Sequence, residues 1–208
     1  MNEKEQIAQS ESTEEKIKEA AKRVFTRKGY AATRTRDIAE ESGYNLALLN
    51  YYFRSKEKLF DIIMIEHLQL FIGNVFAILN EKDTSLEEKL ERMIGYYIDM
   101  LMENPGIPVF IINAVNNDPK LLLERAAGGV DFSATYMAEQ WRDIVKKKKL
   151  NISPMHLFIN IISLTVFPFA ASPIIKAKNM LDNDAFNKLM LERKRLIPLW
   201  IKATLEVA

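Results

Sequence analysis

The residues best suited to chemistry lie in one short segment, residues 33–53, and the chemistry they suit is recognition rather than catalysis. The side-chain amide of Asn50 can pair with adenine through two hydrogen bonds, because adenine presents one acceptor and one donor side by side in the major groove. Ala47 or Leu48 can press on a thymine methyl group. We therefore expect this segment to contact base edges of double-stranded DNA.

Basic residues surround the same segment. Between residues 16 and 58 there are eleven lysines and arginines but only five acids, although the whole chain carries a net charge of +1. A local excess of this kind is what phosphate neutralisation requires. The side chains suited to phosphates or groove edges are Thr35, Arg36, Tyr51, Tyr52 and Lys56.

The spacing of apolar residues predicts the elements that hold these side chains. Ile38 and Ala39 face inward on one short helix, and Leu49 with Phe53 anchors a second. Gly43 lies between them and permits a left-handed turn, so the segment is typical of a helix-turn-helix. Asn45, Asn50 and their outward neighbours are then free to meet DNA through the N-terminal half of the second helix.

The rest of the chain has few glycines and prolines and no sustained alternation of strand-forming residues, so an all-α fold is predicted. We expect a flexible tail over residues 1–12, a helix-turn-helix DNA-binding domain over 13–58, and a helical bundle for ligand binding and dimerisation over 59–208. The predicted helices cover residues 13–28, 35–42, 46–52, 55–79, 85–103, 108–116, 119–149, 154–178 and 184–206.

Residues 15–60 closely resemble the TetR family of bacterial regulators. The pattern that carries the resemblance is Ala20-Ala21, Phe25, Gly29-Tyr30, Thr33, Ile38-Ala39, Gly43, Leu49, Tyr51-Tyr52-Phe53, Ser55-Lys56-Glu57 and Leu59. The resemblance implies an all-α homodimer, usually a repressor, that leaves a palindromic operator when a small molecule enters the C-terminal domain. Family DNA contacts carried onto matching positions give Thr35, Arg36, Tyr44, Asn45, Leu46, Ala47, Leu48, Asn50, Tyr51, Tyr52 and Lys56.

Two departures from the family pattern affect the operator. The usual Thr-Leu-Tyr of the recognition helix is Leu48-Leu49-Asn50 in this chain, which removes a hydroxyl and an aromatic ring. The stretch after the turn, Leu46-Ala47-Leu48, is apolar where the family has small polar residues. Methyl contacts are therefore favoured over hydrogen bonds, and a relative's operator does not transfer to this chain.

The last two helices have the composition of a dimer interface. Residues 154–178 are apolar on most of the helix circumference, and no charged residue lies between Leu150 and Ile175. A transmembrane anchor is the alternative, although Asn151, Asn160 and the prolines interrupt the segment. We favour a buried helix that, with the last helix, forms a four-helix interface with a second copy.

The body is also expected to hold a pocket for a small, largely apolar effector, because methionine and aromatic side chains suit an adaptable site. Ligand binding would tilt the long helix after Lys56 and change the spacing of the recognition helices. The predicted lining residues are Met93, Tyr97, Met100, Phe110, Asn113, Phe132, Tyr136, Met137, Trp141 and Phe167.

Catalytic patterns are weak in this sequence. There is no cysteine, and the two histidines, His67 and His156, are far apart with no paired carboxylate motif. Neither a phosphate-binding loop nor a metal-binding spacing is present. We therefore expect no enzyme activity, no metal, no cofactor and a cytoplasmic location.

Two alternative functions remain open beside a ligand-responsive regulator. The first is a DNA-binding protein without a small-molecule effector, whose body binds another protein or organises DNA. The second is a membrane-tethered protein that uses residues 150–175 as its anchor.

Overall fold

A computed structural model describes the backbone of residues 3–117, 119–150, 152–153 and 155–207, and the side chains of those residues apart from 3–12, 119, 121, 123 and 207. The chain forms two compact units, Met1–His67 and Leu68–Ala208. Throughout the described ranges the elements are helical, with no strand, which confirms the predicted all-α fold.

Three helices and the start of a fourth form the first unit, which we call the head. They are α1 (Glu3–Lys28), α2 (Thr35–Ser42), α3 (Leu46–Phe53) and α4 (Lys56–Asn80). Side chains from all four helices make the core of the head, and those with no exposed surface include Ile17, Val24, Ile38, Leu49 and Leu59. The spacing of these residues along each helix is the reason that one face of each helix is buried.

The turn between α2 and α3 is built as the sequence predicts. Gly43 has a φ of 73°, in the left-handed region that glycine adopts without steric cost, and it ends α2. Asn45 then begins α3, and its Oδ1 accepts a hydrogen bond from the backbone N–H of Leu48 at 2.9 Å. The cap satisfies one of the free N–H groups at the start of the helix.

The second unit, which we call the body, contains the remainder of α4 and seven further helices among the described residues. They are α5 (Leu86–Glu103), α6 (Ile107–Asn117), α7 (Pro119–Leu122), α8 (Tyr136–Lys147), α9 (Met155–Ala170), α10 (Ser172–Asn179) and α11 (Asn183–Val207). Helix α5 packs against α9 and α11. Its buried residues Ile94, Ile98 and Leu101, with Met190 and Ile197 of α11, make up much of the body core.

Three helix bounds differ from the sequence prediction. Helix α1 begins at Glu3 rather than at residue 13. The single helix predicted over 119–149 is wrong: a π-helical turn over Leu123–Ala127 is followed by Gly128 and Gly129, both at positive φ, and α8 starts only at Tyr136. The helix predicted over 154–178 is also divided, because α9 and α10 are bent by 62° from each other.

Two parts of the fold are apolar enough to cross a membrane by length and composition alone. They are α4, and α9 taken together with α10 across their bend. A core helix of a soluble protein has the same composition, so this is weak evidence for a membrane span. In α4 the apolar residues Leu59, Ile63, Leu68 and Phe71 are already buried within their own units.

Candidate nucleic-acid interface and ligand cavity

Helix α3 presents one face outward and buries the opposite one. Leu49 and Phe53 are 0% and 2% exposed, so they fasten the helix to the head. Ala47, Asn50 and Tyr51 are exposed and stand three and four residues apart, which places them on one face. We call these three residues the α3 face. Within the described residues the Asn50 side-chain amide has no hydrogen-bond partner, so it is available to a ligand.

The predicted DNA contacts divide into two groups by exposure. The exposed ones are Arg36, Asn45, Ala47, Asn50 and Tyr51, and the half-buried ones are Thr35, Tyr44, Leu46, Leu48, Tyr52 and Lys56. The Tyr51 ring is 78% exposed and meets Tyr52 edge-on, with 5.3 Å between ring centroids. An aromatic ring with so much exposed surface next to the Asn50 amide suits contact with another molecule.

Lys56 has an internal role that the sequence did not indicate. Its ammonium group donates to the backbone carbonyls of Tyr30 and Thr33 at 3.1 and 3.0 Å, and it lies 4.2 Å from the Tyr30 ring centroid. Two of its three N–H donors are therefore used to hold the connection between α1 and α2. The structure thus gives Lys56 a positioning role within the head, which is separate from its predicted contact with DNA.

Several of the basic residues around α3 are engaged by acids of the head. Glu41 accepts hydrogen bonds from Arg23 at 2.9 Å and Arg27 at 3.0 Å, and Lys28 lies 2.9 Å from Asp37. By contrast, Arg36 and Arg54 are exposed and have no ion pair among the described residues. Arg54, which directly follows α3, is a phosphate-binding candidate that the sequence reasoning missed, and its place beside the recognition segment was the available signal.

The Glu41 pairs give the head a stability that depends on pH. The Arg23 and Arg27 side chains lower the pKa of the Glu41 carboxyl below its ordinary value of 4.5. A carboxylate whose pKa is lower in the folded protein stabilises the fold at pH values above its ordinary pKa. That stabilisation is lost as the pH falls through the pKa that the carboxylate has in the folded protein. We therefore expect Glu41→Gln to lower the melting temperature at pH 7, and the difference from the native chain to shrink near about pH 2.

Thermal unfolding followed by circular dichroism at both pH values measures this effect. Glu40→Gln is the matched control, because Glu40 is exposed on the same helix and has no ion pair within the described residues. Equal melting temperatures for Glu41→Gln and Glu40→Gln at pH 7 would contradict the assignment.

A cavity of about 430 Å³ lies within the body, a volume typical of small-molecule sites. Side chains from α4, α5, α8 and α9 and from the segment between Val130 and Thr135 line it. Five of the ten predicted lining residues are brought together there: Met93, Tyr97, Phe132, Met137 and Trp141. Burial raises the pKa of the Tyr97 phenol, so this side chain remains an uncharged hydroxyl at neutral pH.

The other five predicted residues are not among those that line this cavity. Met100 and Phe110 are buried in the body core, while Asn113 and Phe167 are exposed. Tyr136 is half-buried, with the Lys89 ammonium 5.1 Å from its ring centroid. The lining residues that the sequence reasoning missed include Leu157, Phe158 and Ile161 of α9. Their strong apolar character had been assigned wholly to dimerisation.

A second concavity of about 560 Å³ lies where α5 begins and α8 and α11 end. It contains none of the predicted ligand residues, and two of its basic side chains are already engaged. Lys148 donates to the carbonyl of Leu205 at 3.0 Å, and Lys202 bonds to Glu87 at 2.7 Å. The cavity bordered by Trp141 is therefore the better candidate for a small molecule.

Comparison with known proteins agrees with this geometry. Residues 17–63 match the model of the family described as bacterial regulatory proteins, tetR family. The transcriptional repressor NicS of Pseudomonas putida is 30% identical over 97 residues, which are 47% of this chain and 45% of NicS. The chain spans about half the length of the curated relatives it matches.

Solved structures share the fold over most of the chain. A TetR/AcrR-family regulator from Thermobifida fusca has a TM-score of 0.64 at 17% identity, covering 89% of this chain and 96% of its own. A TetR regulator from Haloarcula marismortui has a TM-score of 0.62 at 17% identity, covering 93% and 98%. These comparisons show that residues 17–63 match the tetR family of bacterial regulatory proteins, and that the chain shares its fold with the solved regulators.

Proposed function

We propose that this protein is a cytoplasmic transcriptional regulator that binds a palindromic operator as a homodimer and is released by a small, largely apolar effector. The observation that carries the proposal is the α3 face, which is exposed while Leu49 and Phe53 bury the opposite side of the same helix. A helix held in this way can enter the major groove. The relative NicS is a repressor by name, which favours repression over activation.

The outward faces of α9 and α11 support the homodimer. Large apolar side chains are exposed on both helices, and they include Ile159, Phe167, Leu189, Leu199 and Trp200. Exposed apolar side chains gathered on neighbouring helices mark an interaction surface. Arg193 holds the two helices together, because its guanidinium donates to the Leu164 carbonyl at 2.8 Å and lies 5.2 Å from the Trp200 ring.

Two-fold symmetry then sets the form of the operator. A dimer that places its recognition helices about one DNA turn apart, roughly 34 Å, requires two half-sites related by a dyad. Selection of duplexes from a random-sequence library by the native chain tests the function, and we expect a palindromic site whose affinity falls steeply with salt. Recovery of unrelated sequences, or binding that ignores salt, would reject the operator hypothesis.

Phe167→Glu tests the dimer surface. The side chain is 65% exposed in the single chain, so the substitution costs little there, but it would place a charge in an apolar interface. We expect monomers in sedimentation equilibrium, and a loss of affinity for the selected duplex of about a hundredfold, because each half-site is then bound independently.

Leu70→Glu is the control for this substitution. Leu70 is 70% exposed on α4, outside the two helices of the proposed interface. The Leu70→Glu variant should remain a dimer and bind the selected duplex with the affinity of the native chain. If Phe167→Glu remains dimeric as well, the interface lies elsewhere on the body.

A further inference from the structure

We propose that the surface formed by α9 and α11 selects a second copy of this chain through two reciprocal ion pairs, each between Glu192 of one protomer and the partner's Arg193. This inference rests on the proposed homodimer and names the charged groups at the centre of its interface. Three observations carry it: the central position of Arg193, the lack of an acid beside it in its own chain, and the exposed Glu192 on the same helix.

Arg193 lies among the exposed apolar side chains of α11. It follows Leu189 by four residues and precedes Trp200 by seven, and these spacings place all three residues on one side of the helix. Leu189 and Trp200 are both exposed, and the guanidinium of Arg193 lies 5.2 Å from the Trp200 ring. A protein that covers these two apolar side chains therefore covers Arg193 as well.

The same point is central along α9. Arg193 donates to the carbonyl of Leu164 at 2.8 Å, and the exposed residues Ile159 and Phe167 lie on either side of Leu164 in the chain. In an isologous dimer both protomers use the same surface, so the two-fold axis passes through its middle and the central residues face their own copies. Dimerisation through this surface therefore brings two arginines close together.

Arg193 has no acid beside it in its own chain. Its side chain is half-buried and makes no ion pair among the described residues, and burial lowers its pKa. The guanidinium is nevertheless charged at neutral pH, and removing it further from water without a carboxylate is strongly unfavourable. A stable interface at this point requires an acid from the partner.

Glu192 is the acid that the two-fold symmetry brings to this place. It is exposed, makes no ion pair within the described ranges, and follows Leu189 by three residues, on the apolar side of the helix. Helix α9 contains no acid, and the other acids of α11, Asp184 and Glu206, lie near the two ends of the helix. Each protomer thus supplies one acid and one base, whereas a foreign apolar surface would leave Arg193 unpaired.

Charge reversal, followed by sedimentation equilibrium of the full chain, tests these pairs. Glu192→Arg places only positive charges at the centre of the interface, and we expect it to raise the dissociation constant of the dimer about a hundredfold. Glu206→Arg is the matched control, because it makes the same change at an exposed acid near the end of the same helix. The Glu206→Arg variant should dimerise like the native chain.

An equimolar mixture of Glu192→Arg and Arg193→Glu tests whether the two positions meet across the interface. Each variant alone gathers charges of one sign, but a heterodimer of the two contains two opposite-charge pairs. We expect heterodimers whose dissociation constant is within about tenfold of that of the native dimer. A mixture of folded variants that remains monomeric would overturn the pairing, as would restoration of the Glu192→Arg dimer by Arg195→Glu in place of Arg193→Glu.

The exposed Glu192 decides the proposal even if Arg193→Glu does not fold, since Arg193 also joins α9 to α11 within its own chain. A Glu192→Arg chain that dimerises like the native chain would overturn the ion pairs and leave the proposed homodimer intact. A native chain that is monomeric in the same measurement would instead reject the homodimer and this inference together.

Discussion

Leu49→Ala is expected to lower the free energy of unfolding of the head by about 2–5 kcal/mol and to abolish operator binding. Leu49 has no exposed surface and lies at the centre of α3, an eight-residue helix. A helix so short is not stable by itself in water and depends on its packing. Loss of the leucine side chain leaves a cavity under the helix, so the α3 face is no longer held in one position.

Leu48→Ala is the matched control, because it makes the same chemical change at the neighbouring, half-buried position. Its stability cost should be clearly smaller, and its effect should fall on sequence preference at a thymine. Hydrogen exchange of peptides from α1 to α3 measures the stability of the head separately from the body. If both variants exchange at the same rate, Leu49 does not anchor α3.

The head was predictable from the sequence because its elements are short, local and marked by specific residues. Ile38 and Leu49 are buried as predicted, and Gly43 has the predicted left-handed conformation. The role of Lys56 was not visible, since its bonds to the carbonyls of Tyr30 and Thr33 join residues more than twenty positions apart. Long-range contacts of that kind leave no periodic pattern in the sequence.

The body was harder to predict because apolar periodicity does not say which neighbour covers a helix. Phe167 was expected in the pocket but is 65% exposed, whereas Leu157 and Ile161 of the same helix line the cavity. The break before α8 had a signal in the pair Gly128 and Gly129, which both adopt positive φ. The predicted helix over 119–149 nevertheless ran through that pair.

Asn50→Ala is expected to weaken binding to the selected operator by about 1–3 kcal/mol without changing the stability of the head. The Asn50 side chain is exposed and has no hydrogen-bond partner among the described residues, so its removal costs nothing in the free protein. In the complex the amide would pair with an adenine edge. Asn113→Ala is the matched control, because Asn113 is an exposed asparagine on α6 of the body.

The most direct test of recognition by the α3 face couples this substitution to a change in the DNA. Each adenine of the selected operator is replaced in turn by deazaadenine, in which a carbon replaces N7 of the major-groove edge. Fluorescence anisotropy then gives the affinity of the native chain and of Asn50→Ala for each duplex. We predict one adenine in each half-site whose replacement weakens DNA binding by the native chain but not by Asn50→Ala. The losses of affinity from the base replacement and from the amino-acid substitution are then not additive. Additive losses at every adenine, or no loss at any, would contradict base reading by Asn50 in the major groove.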